Sequence, residues 1–145
     1  MFRDVGSRLG AASIDIEPIL QSAHWATYNI WRPVKTVRRD ALALLDTRSA
    51  DRNQLVSARF DRGDGHIVSM DWLESGLKAE ESDEALKHQW YYMHHQEPDE
   101  VVAFKIYDSD PTAKSNGTPH TAVHIPGTED EETRVSIEIR CFAIF

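Results

Sequence analysis

With 145 residues the chain is long enough for one domain that buries most of its apolar surface without covalent staples, and 16 Lys and Arg against 24 Asp and Glu leave a formal charge of -8. Such a surface repels a polyanion, and Arg38-Arg39 and Arg32 with Lys35 are too sparse a basic set to offset it, which excludes nucleic acid as a partner. The single cysteine, Cys141, can form no intramolecular disulfide, and no apolar run suits a membrane span or a secretory signal; the expectation is a single domain over residues 1–145, cytoplasmic, with no membrane partner.

The first element in chain order is a short N-terminal helix over Ile14 to Ser22. Asp15, Glu17 and Pro18 suit a first turn, while Ile16, Ile19 and Leu20 supply an apolar stripe. Strand signals follow over Ala26 to Arg32, Ala41 to Leu45, Gln54 to Phe60, His66 to Trp72, His88 to Met93, Val101 to Tyr107, Thr121 to Ile125 and Val135 to Phe145. Many short strands separated by turn residues predict a mainly β chain, a sandwich or a barrel. Leu73 to Lys87 reads as a charged, solvated connection, and Asp108 to Thr118 and Gly127 to Glu132 read as exposed turns. The triplet Asn116-Gly117-Thr118 has the form of a glycosylation sequon, but its Asn-Gly chemistry reads as a plain turn.

The last strand alternates most clearly. Val135, Ile137, Ile139 and Cys141 form one face and Arg134, Ser136, Glu138 and Arg140 the other, so the apolar face should pack while the polar one lines a cavity or meets water. In the strand from Val101, Val102, Phe104 and Ile106 oppose Val101, Ala103, Lys105 and Tyr107, which puts Lys105 and Tyr107 beside a pocket or on the surface.

Seven histidines invite a metal reading. His94-His95 with Glu97 and Asp99 offers ligand types for zinc, but adjacent residues of a strand point to opposite faces and cannot jointly grip one ion. His120 and His124 share a strand face about 13 Å apart by strand rise, so they have separate roles, with His124 structural or exposed. His24, His66 and His88 have no neighbouring ligand pattern.

Five blocks arrive in a telling order: Tyr28-Asn29-Ile30-Trp31-Arg32-Pro33, Gln89-Trp90-Tyr91-Tyr92, Phe104-Lys105-Ile106-Tyr107-Asp108-Ser109, Thr118-Pro119-His120-Thr121-Ala122 and Arg134-Val135-Ser136-Ile137-Glu138-Ile139-Arg140. Together they resemble the AsaB-type hydroxylase/desaturase family of fungal biosynthesis, over most of the chain. The resemblance implies a truncated double-stranded β-helix, cupin- or jelly-roll-like, and chemistry with Fe(II) and 2-oxoglutarate. It also implies that His120 is the distal iron ligand and that Arg134 and Ser136 grip the far carboxylate of 2-oxoglutarate, a task suited to the planar, two-pronged guanidinium. A facial triad needs three protein ligands. The family supplies His-x-Asp ahead of the Asn-x-Trp-Arg-Pro block, whereas this chain has no His-x-Asp, and its nearest counterpart is Phe2-Arg3-Asp4. Asp4 and His120 alone are too few ligands to retain Fe(II).

The leading expectation is therefore an enzyme without a cofactor, carrying out a non-oxidative cyclisation of Diels–Alder type or an isomerisation on an apolar small molecule in a repurposed cavity. Its donors are Arg134, His120, Lys105 and Tyr91, and its substrate walls are Trp31, Arg32, Trp90, Tyr107 and Ser136. The alternatives are an Fe(II)/2-oxoglutarate hydroxylase/desaturase, with Asp4 and His120 on the metal, and a non-catalytic binding partner. A sheet left uncovered also predicts a homodimer.

Overall fold

A computed structural model describes residues 17–50, 55–61, 67–73 and 88–145. Helix α1 (Glu17–Ser22) is followed by strands β1 (Trp25–Pro33), β2 (Ala41–Leu45), β3 (Leu55–Asp61), β4 (Ile67–Leu73), β5 (Trp90–Tyr92), β6 (Val102–Asp108), β7 (His120–Val123) and β8 (Ser136–Ile144). The described part of the expected helix is helical, and each expected strand forms within a few residues of its predicted bounds. Asp4, His66 and the charged connection after Leu73 lie outside the described residues.

Two three-stranded antiparallel sheets and a hairpin make up the fold. One sheet has the order β6-β1-β8 and the other β5-β2-β7, while β3 pairs with β4. β1 is central to the first sheet for a reason visible in its composition. Trp25, Ala26, Asn29, Trp31 and Pro33 are buried, so the strand has no solvent-facing edge, and Pro33 stands at its last position, where a missing amide matters least. A register shift between Thr27 and Tyr28 marks a bulge against β6, beyond which Tyr107 lies opposite Thr27.

Residues directly opposite one another share a face, so the pairings show which side chains look inward. Trp31 lies opposite Val102 and Glu138, and Asn29 lies opposite Phe104 and Arg140. Trp31 and Phe104 join Val37 and Ala41 in the main apolar cluster, against which Leu42, Leu44, Val102, Ile106, Val123 and Ile125 pack. The two sheets thus face each other across this cluster, the aligned layering of a jelly-roll sandwich.

The last strand departs from expectation. Its apolar face, Val135, Ile137 and Ile139, is exposed, with Ile139 at 62% accessibility, while Glu138 and Arg140 share the inward face with Trp31 and Asn29. The residues alternate as expected but the polarity is inverted: at β8 the face shared with Trp31 and Asn29 carries exposed Glu138 and Arg140, and the apolar core lies at β1 and β6.

Gly117 sits in a tight backbone approach. A Cβ there would lie 2.5 Å from the Ile106 carbonyl oxygen, and the neighbouring Thr118 amide is already donated to the Lys105 carbonyl at 2.8 Å. Gly117→Ala must move backbone rather than a side-chain tip, so it is expected to cost about 1–3 kcal/mol. A lowered urea midpoint at unchanged m-value checks this; an unchanged midpoint would show that the turn reseats freely.

Candidate functional site

The site is built on the inward face around Trp31. The Arg134 guanidinium lies over the Trp31 ring at 5.3 Å from its centroid, just ahead of β8, where the Val34 amide donates to the Val135 carbonyl and holds that approach against β1. Its Nη1 is buried and has no hydrogen-bond partner among the described residues. A buried polar group left unpaired costs about 1–3 kcal/mol, and a charged guanidinium nitrogen more. Such a cost is expected of a donor placed for an acceptor that the described residues do not supply. Ser136, half-buried, follows two residues later on the same inward face, opposite Pro33.

From Trp31 the contacts run to Phe104 in the shared cluster, and from Phe104 to His120, whose ring lies 4.6 Å away and tilted by 57°. His120 Nδ1 lies 2.9 Å from the Thr118 carbonyl oxygen. A carbonyl can only accept, so Nδ1 carries the proton and the Nε2 lone pair is left for an acid, a substrate proton or a metal. Leu44 lies opposite both His120 and Tyr91, so Tyr91 joins the same face, with its hydroxyl donated to Gln89 Oε1 at 3.1 Å.

A polar ladder continues down the wall. Fully buried Asn29 donates through Nδ2 to Glu138 Oε1 at 2.7 Å and accepts through Oδ1 from Arg140 Nε at 3.2 Å. One amide thereby orients an acid and a base on the inward face.

Of the residues singled out from sequence, Arg134, Ser136 and Trp31 share a face of the first sheet, and His120 and Tyr91 share a face of the second, with the His120–Phe104 ring contact joining the two. The other four lie elsewhere. Lys105 lies opposite Tyr28 on the other face of its sheet and is clasped to Asp108 at 2.6 Å, because a half-buried ammonium beside a buried carboxylate has its partner already. Arg32 is exposed and lies opposite Ile137, on the outward face. Trp90 lies opposite Leu45 and so faces away from His120. Tyr107 lies opposite Thr27, on the face of Asn29 and Trp31, but stacks on Trp25 at 4.8 Å at the α1 end of the sheet, away from Arg134.

Asn29, Phe104, Glu138 and Arg140 went unrecognised as site residues. Glu138 and Arg140 were legible as a polar strand face, but Asn29 gave no signal beyond its place in a block. The chain also holds a His-x-Glu triplet, His95-Gln96-Glu97. His94 and His95 lie in a turn rather than a strand, and their rings stack at 3.9 Å instead of diverging. Glu97 accepts from Thr36 Oγ1 at 2.8 Å, and no group of three His, Cys, Asp or Glu residues assembles there or elsewhere among the described residues.

A family model described as an oxidoreductase/YMDC permease-like domain matches residues 3–144. The chain is 38% identical over 129 residues to the gibberellin cluster GA4 desaturase of Gibberella fujikuroi, covering 86% of this chain and 36% of that protein. It is 36% identical over 139 residues to the hydroxylase/desaturase asaB of Aspergillus flavus, covering 92% and 60%. Similarity to the alpha-ketoglutarate-dependent dioxygenase phiK of a fungal species is 34% over 122 residues, covering 83% and 41%. Among solved structures, the iron and alpha-ketoglutarate-dependent endoperoxidase NvfI superposes with a TM-score of 0.71 at 24% identity, over 99% of this chain and 48% of that one, which establishes the shared fold. The chain spans between 36% and 60% of the length of these curated relatives. No described helix is long and apolar enough to cross a membrane.

The Asp108 cluster supplies a prediction. Asp108 accepts from Lys105, from the Asp110 amide at 3.0 Å and from His24 Nε2 at 2.8 Å, and these partners, Lys105 first, hold its carboxyl far below the usual carboxylate range. A depressed folded-state pKa stabilises fully above the unfolded value of about 4 and is lost as pH falls through the folded value. Asp108→Asn is expected to lower the urea midpoint near neutrality and to flatten its decline in acid, and Lys105→Met to destabilise while leaving ligand affinity at Arg134 intact. An acid limb unchanged in Asp108→Asn would show that this carboxylate does not govern it.

Proposed function

Because the chain belongs to the oxidoreductase/YMDC permease-like domain family, we propose that its cavity binds 2-oxoglutarate through Arg134 and Ser136 and serves an oxygenase-type step, hydroxylation or desaturation, on an apolar fungal metabolite. The observation that carries this reading is the buried, unpartnered Nη1 of Arg134 above Trp31. A carboxylate would accept from Nη1 and its neighbour together, and the Ser136 hydroxyl is placed on the same face to add a third donor. The names of the dioxygenase phiK and the endoperoxidase NvfI, both dependent on alpha-ketoglutarate, support the same ligand class.

The residues have definable tasks under this reading. Trp31 spreads beneath the guanidinium and keeps its plane fixed, which costs less ordering than a free arginine would. Phe104 holds His120 with Nε2 unencumbered, and Leu42, Leu44, Val102 and Ile106 exclude water from the space between the sheets. His120 is one nitrogen ligand, and the described residues contain no cluster of three that would complete an iron centre around it. The described residues fit the dicarboxylate and do not by themselves fit the metal; what they contribute is binding, orientation and polarisation.

A second reading is favoured by one sequence observation, the phenylalanine of Phe2-Arg3-Asp4. With histidine replaced there, the same cavity would hold a reactive conformer of an apolar substrate and polarise its carbonyl through Arg134, a cyclisation or isomerisation that needs no redox partner.

Calorimetric titration with 2-oxoglutarate, with and without Fe(II), tests the proposal. Wild type is expected to bind 2-oxoglutarate, and Arg134→Ala to weaken it by about 10- to 100-fold, the loss of about 1.5–3 kcal/mol for a charge-assisted pair. Arg134→Lys should recover only part, since it keeps the charge and loses the fork. A wild-type protein that binds iron and releases succinate with substrate establishes the oxygenase. Turnover of a metabolite without either establishes the second reading, and no binding of 2-oxoglutarate by the folded protein would remove the first.

A further inference from the structure

β8 combines three features that usually do not coexist on a finished surface. It is an edge strand among the described residues, it is nine residues long, and its outward face carries Val135, Ile137 and Ile139 at 47%, 51% and 62% exposure. A long flat edge with an apolar face is a pairing site unless charge or a bulge blocks it, and β8 runs against β1 without a register break.

The backbone shows which groups are free. The Val34 amide donates to the Val135 carbonyl and the Phe145 amide to the His24 carbonyl, both at 2.8 Å, so the odd-numbered residues of β8 direct their N–H and C=O toward β1. The even-numbered residues, Ser136 to Ile144, direct theirs to the open edge. An antiparallel copy of β8 must therefore meet even residues with even residues, and a two-fold axis must pass through a single residue position. An axis at Glu138 sets Glu138 against Glu138, and an axis at Arg140 sets Arg140 against Arg140; like charges directly opposite are unfavourable. An axis at Ile139 sets Glu138 against the partner's Arg140, and Arg140 against the partner's Glu138. No other axis position brings those two residues opposite each other.

We infer that the chain forms a two-fold dimer through antiparallel pairing of β8 with β8 centred on Ile139, joining two three-stranded sheets into one of six strands. The register that satisfies charge on the inward face also satisfies the outward one. Ile139 meets the partner's Ile139 and Ile137 meets the partner's Cys141, so the apolar stripes of the two copies pack side by side across the seam. The partner's Phe142, stacked on Trp25 of its own chain at 5.2 Å, falls opposite Ser136, on the face that carries Arg134. The dimer stands independently of the proposed ligand, because it rests on strand register alone.

Size-exclusion chromatography with light scattering, from micromolar to near-millimolar protein, reads the result directly. Wild type is expected at twice the chain mass, and Ile139→Lys, which sets two ammonium groups against each other at the axis, at the monomer mass with unchanged circular dichroism. In a Cys141→Ser background, Ile139→Cys is expected to cross-link to a disulfide dimer under mild oxidant, whereas Ile144→Cys, far from the axis in this register, should not. A wild type that stays monomeric throughout, a dimer that survives Ile139→Lys, or cross-linking at Ile144→Cys but not at Ile139→Cys would each overturn the inference.

Discussion

The burial of Trp31 in the middle of β1 is the interaction on which the site depends. Its ring is nearly inaccessible, shares a cluster with Phe104, and forms the floor on which the Arg134 guanidinium rests. Removing such a side chain from a core costs about 3–5 kcal/mol. Here the loss would also release the guanidinium from its fixed plane and loosen the aromatic contact that seats His120. Stability and binding geometry are thus vested in one indole, and the inward face cannot vary there without both being affected.

A second constraint sets the character of the same face at β8. Glu138, Asn29 and Arg140 place opposite charges on a wall that is apolar a few residues away, and Asn29 keeps them apart by bonding to each. Glu138 and Arg140 are exposed while Asn29 is buried, so the charged ends stay hydrated and only the neutral amide bears the desolvation. Across the sheet this face therefore grades from a dry side at Phe104 and Trp31 on β6 and β1 to a wet edge at Glu138 and Arg140 on β8. A ligand with an apolar body and a charged terminus matches that gradient better than one polar throughout.

Much of the architecture could be read from the sequence because the strands are short, alternating and separated by turn residues, and these signals are local. Of the residues named from sequence, Arg134, Ser136 and Trp31 share a face of the first sheet, and His120 touches Phe104 of that sheet from the second. The errors have a common physical source. Alternation tells which residues share a face but not which face is inward, so Lys105 and Arg32 were assigned to the cavity although the pairing of β1 with β6 and β8 turns them outward. The stripe Val135, Ile137, Ile139 was assigned to the core by the same ambiguity. Asn29 illustrates the complementary failure: its role depends on bonds to residues more than a hundred positions away, which no local pattern encodes.

That separation bears on how the chain reaches its fold. β1 is finished by residue 33, yet its partners are residues 102–108 and 136–144, so the strand at the centre of the first sheet waits for most of the polypeptide before it can pair. Loop closure over such distances must precede the contacts that repay it, which places the protein among slow folders of high contact order. During synthesis the apolar segment from Trp25 to Pro33 emerges long before β8 exists. It is the stretch a chaperone would be expected to shelter, and the one through which nascent chains would associate if it did not.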